Sequence, residues 1–394
     1  MTTVGRCREA CALLAVWFAA SLASVTQAAD APAIELVGRD PAGHGLVARL
    51  QQKTVVIMSG TPEQMGAAHG RLLSEKARHL VNQVVYVVGA ADTLRTSRWF
   101  FDRMAEIERR AGPHVPQRFF AECDALADAS GVSRRDARCA NLFPELFHCS
   151  GVAVRGKATR DGRVLHARVL DYLRDIQLQN GAVVAVFLPD GYHAWMSLGY
   201  AGFVGTVTAM NEKGLAIGEM GGRGEGDWDG MPMSFLLRDV MERAASVDEA
   251  LAIIRQTPRT CEYYYVLSDK SRNMAALECR PNEVTVLLPG QQHARLPRVP
   301  EDCVLISAGD RAQALSRRVQ EHYGRIDVPA LIEIIKRPVA MNSNLHNAIF
   351  APETGQMWVA DAGKKTPACD EPYTCCDMAE LLTFYRKTMH AERP

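Results

Sequence analysis

The chain has 394 residues, of which 47% are hydrophobic, a content typical of a globular protein rather than a disordered one. Basic and acidic side chains are equal in number, at 45 each. Because a nucleic-acid-binding domain carries a basic excess, this balance excludes nucleic acid as an expected partner.

The first residues have the pattern of a secretory signal peptide. Arg6 and Arg8 precede an apolar run from residue 10 to about residue 25, and small residues stand just before Asp30. We predict a signal peptide over residues 1–29 and an exported protein, either periplasmic or secreted. An uncleaved N-terminal anchor is the alternative. No comparable apolar run follows, so no membrane span is expected once the signal is removed.

Helical patterns dominate the next part of the chain, residues 30–148. Thr61 and Pro62, followed by Gln64, form a helix-start signal, and apolar residues then recur at helical spacing to about residue 84. Further helical stretches are expected at about residues 97–110, at 116–129 and after Ser133. This part is therefore predicted to be an α-rich segment.

From residue 149 the pattern changes to short strands joined by turns, beginning with apolar runs at 183–188, 192–200, 203–210 and 214–220. A capping box at Ser246 and Glu249 opens a helix. Strands follow at about 263–267, 274–279 and 284–288, then helices at 311–323 and 329–335, then strands at 346–350 and 357–360. This order predicts an α+β fold over residues 149–394, a four-layer αββα sandwich with helices outside two packed sheets.

The tetrapeptide His148-Cys149-Ser150-Gly151 opens this strand-rich part. A cysteine reacts as the thiolate, so a base must lie within hydrogen-bond reach of the sulfur. Cleavage between His148 and Cys149 would supply that base, because the new α-amine has a pKa of roughly 7.7–8.0. Cys149 would then be an N-terminal nucleophile.

Two charged residues return toward Cys149 on the next predicted strand. Asp161-Gly162 is typical of a tight hairpin turn, and a hairpin brings Arg168 and Asp171 beside Cys149. Arg168 would lower the pKa of the thiol, and Asp171 would accept hydrogen bonds from the new ammonium group. These three residues are the predicted catalytic residues.

The stretch from residue 148 to 171 resembles the penicillin acyltransferase family of autoproteolytic acyltransferases and hydrolases, which are N-terminal nucleophile hydrolases of the cysteine type. That family places a Cys before a short strand, a hairpin and R-x-x-D, and the chain reads HCSGVAVRGKATRDGRVLHARVLD. The NEKGL element after Met210 and the upstream SGTPEQMGAAHGRLL are also similar to family elements. Choloylglycine hydrolases and acid ceramidase are more distant relatives.

The resemblance implies the sandwich of the N-terminal nucleophile hydrolases, with residues 30–148 as a pro-segment that becomes a separate chain on cleavage. The two chains would stay associated, and a homo-oligomer can form. The implied substrate is a small linear amide, namely an N-acyl amino acid, an acyl amine or a penicillin-like amide. No cofactor is implied.

Two departures from the family concern the donors that stabilise the carbonyl oxygen as it becomes negative. Where relatives place an Asn after the NEKGL element, the chain has Gly221 and Gly222. Backbone N–H groups there or at Ser150 are the expected donors. Where relatives carry an Asn in a later strand, the chain reads VLISAG, and Asn342 or Asn344 is the expected substitute.

Nine of the eleven cysteines remain after Cys7 and Cys11 leave with the signal peptide. An odd number in an oxidising compartment leaves at least one thiol outside the disulfides, and Cys149 is the expected one. The other eight can form up to four disulfide bonds, and no pairing is assigned.

The residues favour an autoprocessed N-terminal-cysteine amidohydrolase or acyltransferase. Two alternatives stay open: a cysteine hydrolase with a separate histidine base that works without autocleavage, and a catalytically silent exported binding protein on the same fold. The chain contains no HExxH, G-x-S-x-G or Walker A sequence, and the glycine-rich loop at residues 221–230 is interpreted as a wall of the substrate pocket, so we expect no metal.

Overall fold

The computed structural model describes residues 33–142, 149–172, 174–222 and 226–390. Residues from Ile34 onward belong to one structural unit. The predicted signal peptide, residues 1–29, and His148 at the predicted cleavage site lie outside the described residues. Within the described ranges, no helix is long and apolar enough to cross a membrane.

The larger of two β-sheets contains ten strands in the part of the chain that the structure describes. In sheet order they are β1 (Ile34–Arg39), β2 (Gly45–Leu50), β3 (Lys53–Gly60), β6 (Ala182–Pro189), β7 (Trp195–Tyr200), β8 (Thr208–Asn211), β9 (Leu215–Gly221), β10 (Tyr263–Asp269), β11 (Met274–Arg280) and β12 (Glu283–Leu287). β3 and β6 run parallel, and the other neighbouring strands are antiparallel.

The smaller sheet is fully antiparallel. Its strands, again in sheet order, are β13 (Cys303–Ile306), β4 (Ser150–Val154), β5 (Leu165–Asp171), β14 (Asn344–Ala351), β15 (Gln356–Asp361) and β16 (Thr374–Asp377). The hairpin predicted after Cys149 is present as β4 and β5.

Residues 34–60 correct the prediction of a helical segment over residues 30–148, because they form β1, β2 and β3. β3 has the β-branched, apolar sequence KTVVIMSG, and its central residues are buried. Its parallel pairing with β6 joins the part of the chain before Cys149 to the part after it. The predicted pro-segment therefore supplies three strands of the larger sheet.

The positions of the helices agree more closely with those predicted from the sequence. Before Cys149 they are α1 (Pro62–Leu72), α2 (Ser74–Asn82), α3 (Gly89–Thr96), α4 (Phe100–Ala111), α5 (Gln117–Ser130) and α6 (Arg134–Leu142), with a π-helical stretch, Gln83–Val88, between α2 and α3. After it they are α7 (Met233–Arg243), α8 (Val247–Gln256), α9 (Gly309–Glu321), α10 (Val328–Ile335) and α11 (Met378–His390). The predicted caps are present: Thr61 and Gln64 form a capping box at α1, and Ser246 caps α8.

The two sheets pack face to face, with β4 and β5 against β9 and β10. α1, α7 and α8 pack on the larger sheet, and α9 and α10 pack on the smaller one. These helices bury apolar side chains against the sheets, which forms one core with the helices on the larger sheet and another with those on the smaller sheet. The predicted α+β fold with the layer order αββα is confirmed.

Candidate active site

Cys149 lies directly before β4 and is only 3% exposed. In the β4–β5 hairpin Ser150 is opposite Val169 and Gly151 is opposite Arg168. Continuing this antiparallel register by one residue brings Cys149 opposite Leu170. The structure therefore places the predicted nucleophile beside the end of the strand that carries R-x-x-D.

The side chains of this hairpin alternate between two environments. A Cβ atom on Gly151 would lie 2.8 Å from the sulfur of Met220, and one on Gly218 would lie 2.6 Å from Cγ of Arg168. Gly151 and Arg168 therefore face the larger sheet, at a place where the two sheets approach too closely for extra side-chain atoms. Asp171 faces the opposite side, toward α9 and α10.

Cys149 lines a cavity of about 330 Å³, a size suited to a small ligand. Gly221 and Gly222, the predicted backbone donors, line the same cavity, as does Ser307. Its apolar walls are Met220, Leu277, Leu287, Leu296 and Ile306. The cavity thus lies between the ends of β9, β4 and β13.

Arg168 is fully buried and forms an ion pair with Glu219 of β9, with 3.2 Å between Nη2 and Oε2. A buried ion pair of this kind is costly to break by removing one partner, so Glu219 helps to hold the guanidinium between the sheets. The prediction did not include Glu219. An acidic residue inside the otherwise apolar strand LAIGEMG is the signal that could have found it.

The buried histidines do not line the Cys149 cavity in the described part of the chain. Burial, with the nearby charge of Arg168, lowers the pKa of His166 to about 3, and burial lowers the pKa of His69 to about 4. Burial also lowers the pKa of His346 well below its usual value. Each ring contacts a hydroxyl or backbone group, so these histidines are neutral members of the core.

Asp171 is buried and anchored by two donors. Its Oδ1 accepts a hydrogen bond from the backbone N–H of Met341 at 2.9 Å, and its Oδ2 pairs with Arg311 of α9. Burial raises the pKa of Asp171 to about 6, and the positive charge of Arg311 works in the opposite direction. The carboxyl group is therefore poised to change charge close to neutral pH.

Arg311 links Asp171 to the cavity. Its Nη2 also donates to Oγ of Ser150 at 2.9 Å, and that oxygen lies 2.7 Å from Oγ of Ser307, which lines the cavity. Sequence reasoning missed Arg311 and the role of Ser307 as a cavity residue. Nothing in the sequence distinguishes Arg311 from the other basic residues, because only the tertiary structure brings α9 next to Asp171.

Asn344 is not part of the cavity as the structure describes it. Its side-chain amide donates to the carbonyl of Leu170 at 3.0 Å and to Oδ1 of Asn347 at 2.9 Å. Its Oδ1 accepts from the backbone N–H of Cys369 at 2.8 Å. These polar atoms therefore hold β14 to β5 and to the chain before β16, and the role of Asn344 as an oxyanion donor stays a prediction.

The predicted disulfide bonds are not supported, since no disulfide joins the nine cysteines between residues 123 and 376 in the described ranges. These cysteines lie on separate helices and strands of both sheets, and most are buried among apolar side chains. Burial raises the pKa of Cys139, Cys369 and Cys375 to about 11. In the same residues, no group of three or more His, Cys, Asp or Glu side chains is arranged to hold a metal ion.

Residues 160–294 match the family model described as acyl-coenzyme A:6-aminopenicillanic acid acyl-transferase. The predicted family resemblance is confirmed. The matched region includes Arg168, Asp171 and Glu219. The match supports an enzyme that acts as an amide hydrolase or acyltransferase, in line with the resemblance to the N-terminal nucleophile type.

The individual proteins that this chain resembles share less than 30% sequence identity with it. Protein dcd1A of Dictyostelium discoideum is 27% identical over 353 residues, which cover 79% of each chain. The N-acylethanolamine-hydrolyzing acid amidase of Mus musculus is 24% identical over 188 residues, which cover 45% of this chain and 51% of the mouse protein. A solved structure of the Caenorhabditis elegans ortholog of that amidase gives a TM-score of 0.44 at 19% identity, covering 52% of this chain and 93% of the other.

Proposed function

We propose that this chain is an exported, autoprocessed N-terminal-cysteine enzyme that hydrolyses small linear amides or transfers their acyl groups. The observation that carries the proposal is the position of Cys149. It precedes β4, lines a ligand-sized cavity and lies beside the strand that presents Arg168 and Asp171.

Maturation begins when the thiol of Cys149 attacks the carbonyl carbon of His148. The peptide C–N bond breaks as a thioester forms, and the nitrogen of Cys149 takes up a proton. Water then hydrolyses the thioester, which leaves a carboxylate on His148 and restores the thiol beside a new α-amine. That amine becomes the base for turnover.

The two chains stay together after cleavage because contacts across the cut are extensive. β3 continues to pair with β6, and Arg238 of α7 forms a buried ion pair with Glu122 of α5 at 2.6 Å. Apolar packing between α1, α5 and the larger sheet adds to this association.

In turnover Cys149 attacks the carbonyl carbon of the substrate amide. Backbone N–H groups at Gly221, Gly222 or Ser150 stabilise the oxygen as it becomes negative. Asp171 holds the α-ammonium, and the departing amine leaves a thioester on the sulfur. Water resolves that thioester in a hydrolase, and a second amine resolves it in an acyltransferase.

A separate histidine base is less well supported. His293 lines the Cys149 cavity, but its Nδ1 accepts from the backbone N–H of Arg295 at 3.2 Å and its Nε2 lies 3.7 Å from Glu278. Both ring nitrogens are thus engaged with other groups, which favours the α-amine as the base.

We assign the acyl group to a second cavity, of about 120 Å³, which lies next to β5. Leu170, the residue opposite Cys149 in the hairpin register, lines it. The remaining walls are almost wholly apolar or aromatic and include Leu80, Val81, Tyr200, Phe203, Val207 and Leu345. Such walls favour a hydrocarbon chain, and the helix α2 of the pro-segment forms part of them.

Small amides are the expected substrates, and folded or denatured proteins are not. A panel of N-acyl amino acids, acyl amines and penicillins should give measurable turnover, because each can place its carbonyl carbon at Cys149 inside a narrow cavity. Casein incubated under the same conditions should remain intact. Digestion of casein without turnover of any small amide would contradict the proposal.

The pH profile offers a second test. We expect the acid limb of kcat/KM to move to higher pH in the Arg311→Met variant. Asp171 must be ionised to hold the ammonium group, its pKa is already raised to about 6 by burial, and the charge of Arg311 opposes that rise. Removing Arg311 raises the pKa of Asp171 further, so activity at the acid end is lost.

The matched control is Arg311→Lys, which keeps a positive charge near Asp171 and should leave the acid limb closer to that of the wild type. Rates would be measured from about pH 4.5 to 8 with one N-acyl amide. An acid limb that does not move in Arg311→Met would show that Asp171 does not control the profile.

A further inference from the structure

One end of the Cys149 cavity is charged. Met220, Tyr264, Glu278 and Thr285 are successive partners across β9, β10, β11 and β12, so their side chains share one face of the larger sheet. Met220 packs against Gly151 beside the nucleophile. Glu278 lies two strands further on, roughly 10 Å away at the usual strand spacing.

Glu278 is surrounded by basic side chains. It lies 2.5 Å from Arg295, 2.9 Å from Arg280 and 3.7 Å from His293. Burial opposes the ionisation of Glu278, but the hydrogen bond from Arg295 and the neighbouring positive charges outweigh it and lower the pKa of Glu278. Its charge is therefore already compensated within the protein.

Glu262 also lines the cavity, but the two arginines are more exposed to a ligand than either carboxylate. The side chain of Arg295 is 56% exposed and that of Arg280 is 47% exposed, against 12% for Glu278 and 18% for Glu262. Of the two arginines, Arg295 lines the cavity. A guanidinium has five N–H donors, so its contact with Glu278 leaves donors for a second carboxylate, which it can bind in a bidentate manner.

We infer that Arg295 binds a carboxylate on the amine part of the substrate, so that the enzyme prefers amides of amino acids or ω-amino acids to amides of neutral amines. This inference rests on the proposed function, which places the acyl group in the cavity behind Leu170 and leaves the Cys149 cavity for the amine part. The apolar walls between Met220 and Arg295 accommodate the methylene groups that separate the amide from the carboxylate.

The test compares two substrates that differ only at that end: the dodecanoyl amides of 6-aminohexanoate and of 6-aminohexanol. For the wild type we expect kcat/KM to be roughly 10- to 100-fold higher for the carboxylate, the range for one charge-assisted hydrogen-bonded pair. Arg295→Leu should bring the ratio close to one, mainly through KM, because the contact is remote from the reacting carbonyl. Arg295→Lys should restore part of the preference.

Arg298→Leu is the matched control, since it removes an exposed arginine from the same loop outside the cavity and should keep the wild-type ratio. A wild-type ratio near one, or a preference that survives in Arg295→Leu, overturns the inference while the amidase function stands. If neither amide is turned over, the panel of N-acyl amino acids, acyl amines and penicillins decides the proposed function. Calorimetric binding of the same two amides to the wild type then decides the subsite, and equal affinities overturn it.

Discussion

The Cys149→Ala variant is expected to remain one uncut chain and to lose amide turnover by at least roughly three orders of magnitude. Both effects have one cause, because the same sulfur attacks His148 during maturation and the substrate carbonyl during turnover. Intact mass measured under reducing conditions should give two fragments that meet at Cys149 for the wild type and a single mass for the variant.

Cys375→Ala is the matched control for this experiment. Cys375 lies on β16, is partly exposed and does not line the Cys149 cavity. Its replacement should leave both cleavage and turnover unchanged. Cleavage that persists in Cys149→Ala would show that another group or another protease cuts the chain, and the autocatalytic step would have to be abandoned.

Asp171→Asn is expected to fold but to lose turnover by a factor of roughly 100 to 10,000, the range for a misplaced catalytic base. Asparagine has nearly the same shape and can still accept the hydrogen bond from the backbone N–H of Met341. It removes the negative charge that holds the α-ammonium and that pairs with Arg311. The measurements are kcat/KM with one N-acyl amide and Tm with circular dichroism to confirm folding.

A suitable control is Asp190→Asn, which makes the same change at an exposed position in the turn after β6. It should keep wild-type kcat/KM. Near-normal turnover by a folded Asp171→Asn variant would remove Asp171 from the catalytic residues and would leave Arg311 without a role in the reaction.

Many secondary-structure elements could be predicted because their signals are local. Thr61 and Ser246 cap helices by bonding backbone groups three residues away, and Asp161-Gly162 permits the turn between β4 and β5. Residues 34–60 show the limit of such signals. β1, β2 and β3 lie within a segment interpreted as helical, and β3 gains its strand partner β6 from a distant part of the chain.

The tertiary structure also decided which predicted site residues meet. The fold places the predicted oxyanion donor Asn344 beside Leu170 and Cys369, whose backbone groups form hydrogen bonds with its side-chain amide. Glu219 contacts Arg168 across the interface between the two sheets. Arg311 contacts Asp171 from the helix α9, which covers the smaller sheet. No sequence spacing relates the two members of either pair.

By itself the sequence determined that Cys149, the predicted nucleophile, lies near Arg168 and Asp171, because the three residues belong to one hairpin whose register follows from a short turn. Only the tertiary structure decided the surroundings of each. Strand alternation turns Arg168 toward the larger sheet and Asp171 toward α9. The packing of the layers then determines which polar side chains contact each of them. That packing depends on the shape of whole surfaces, which no local pattern of residues records.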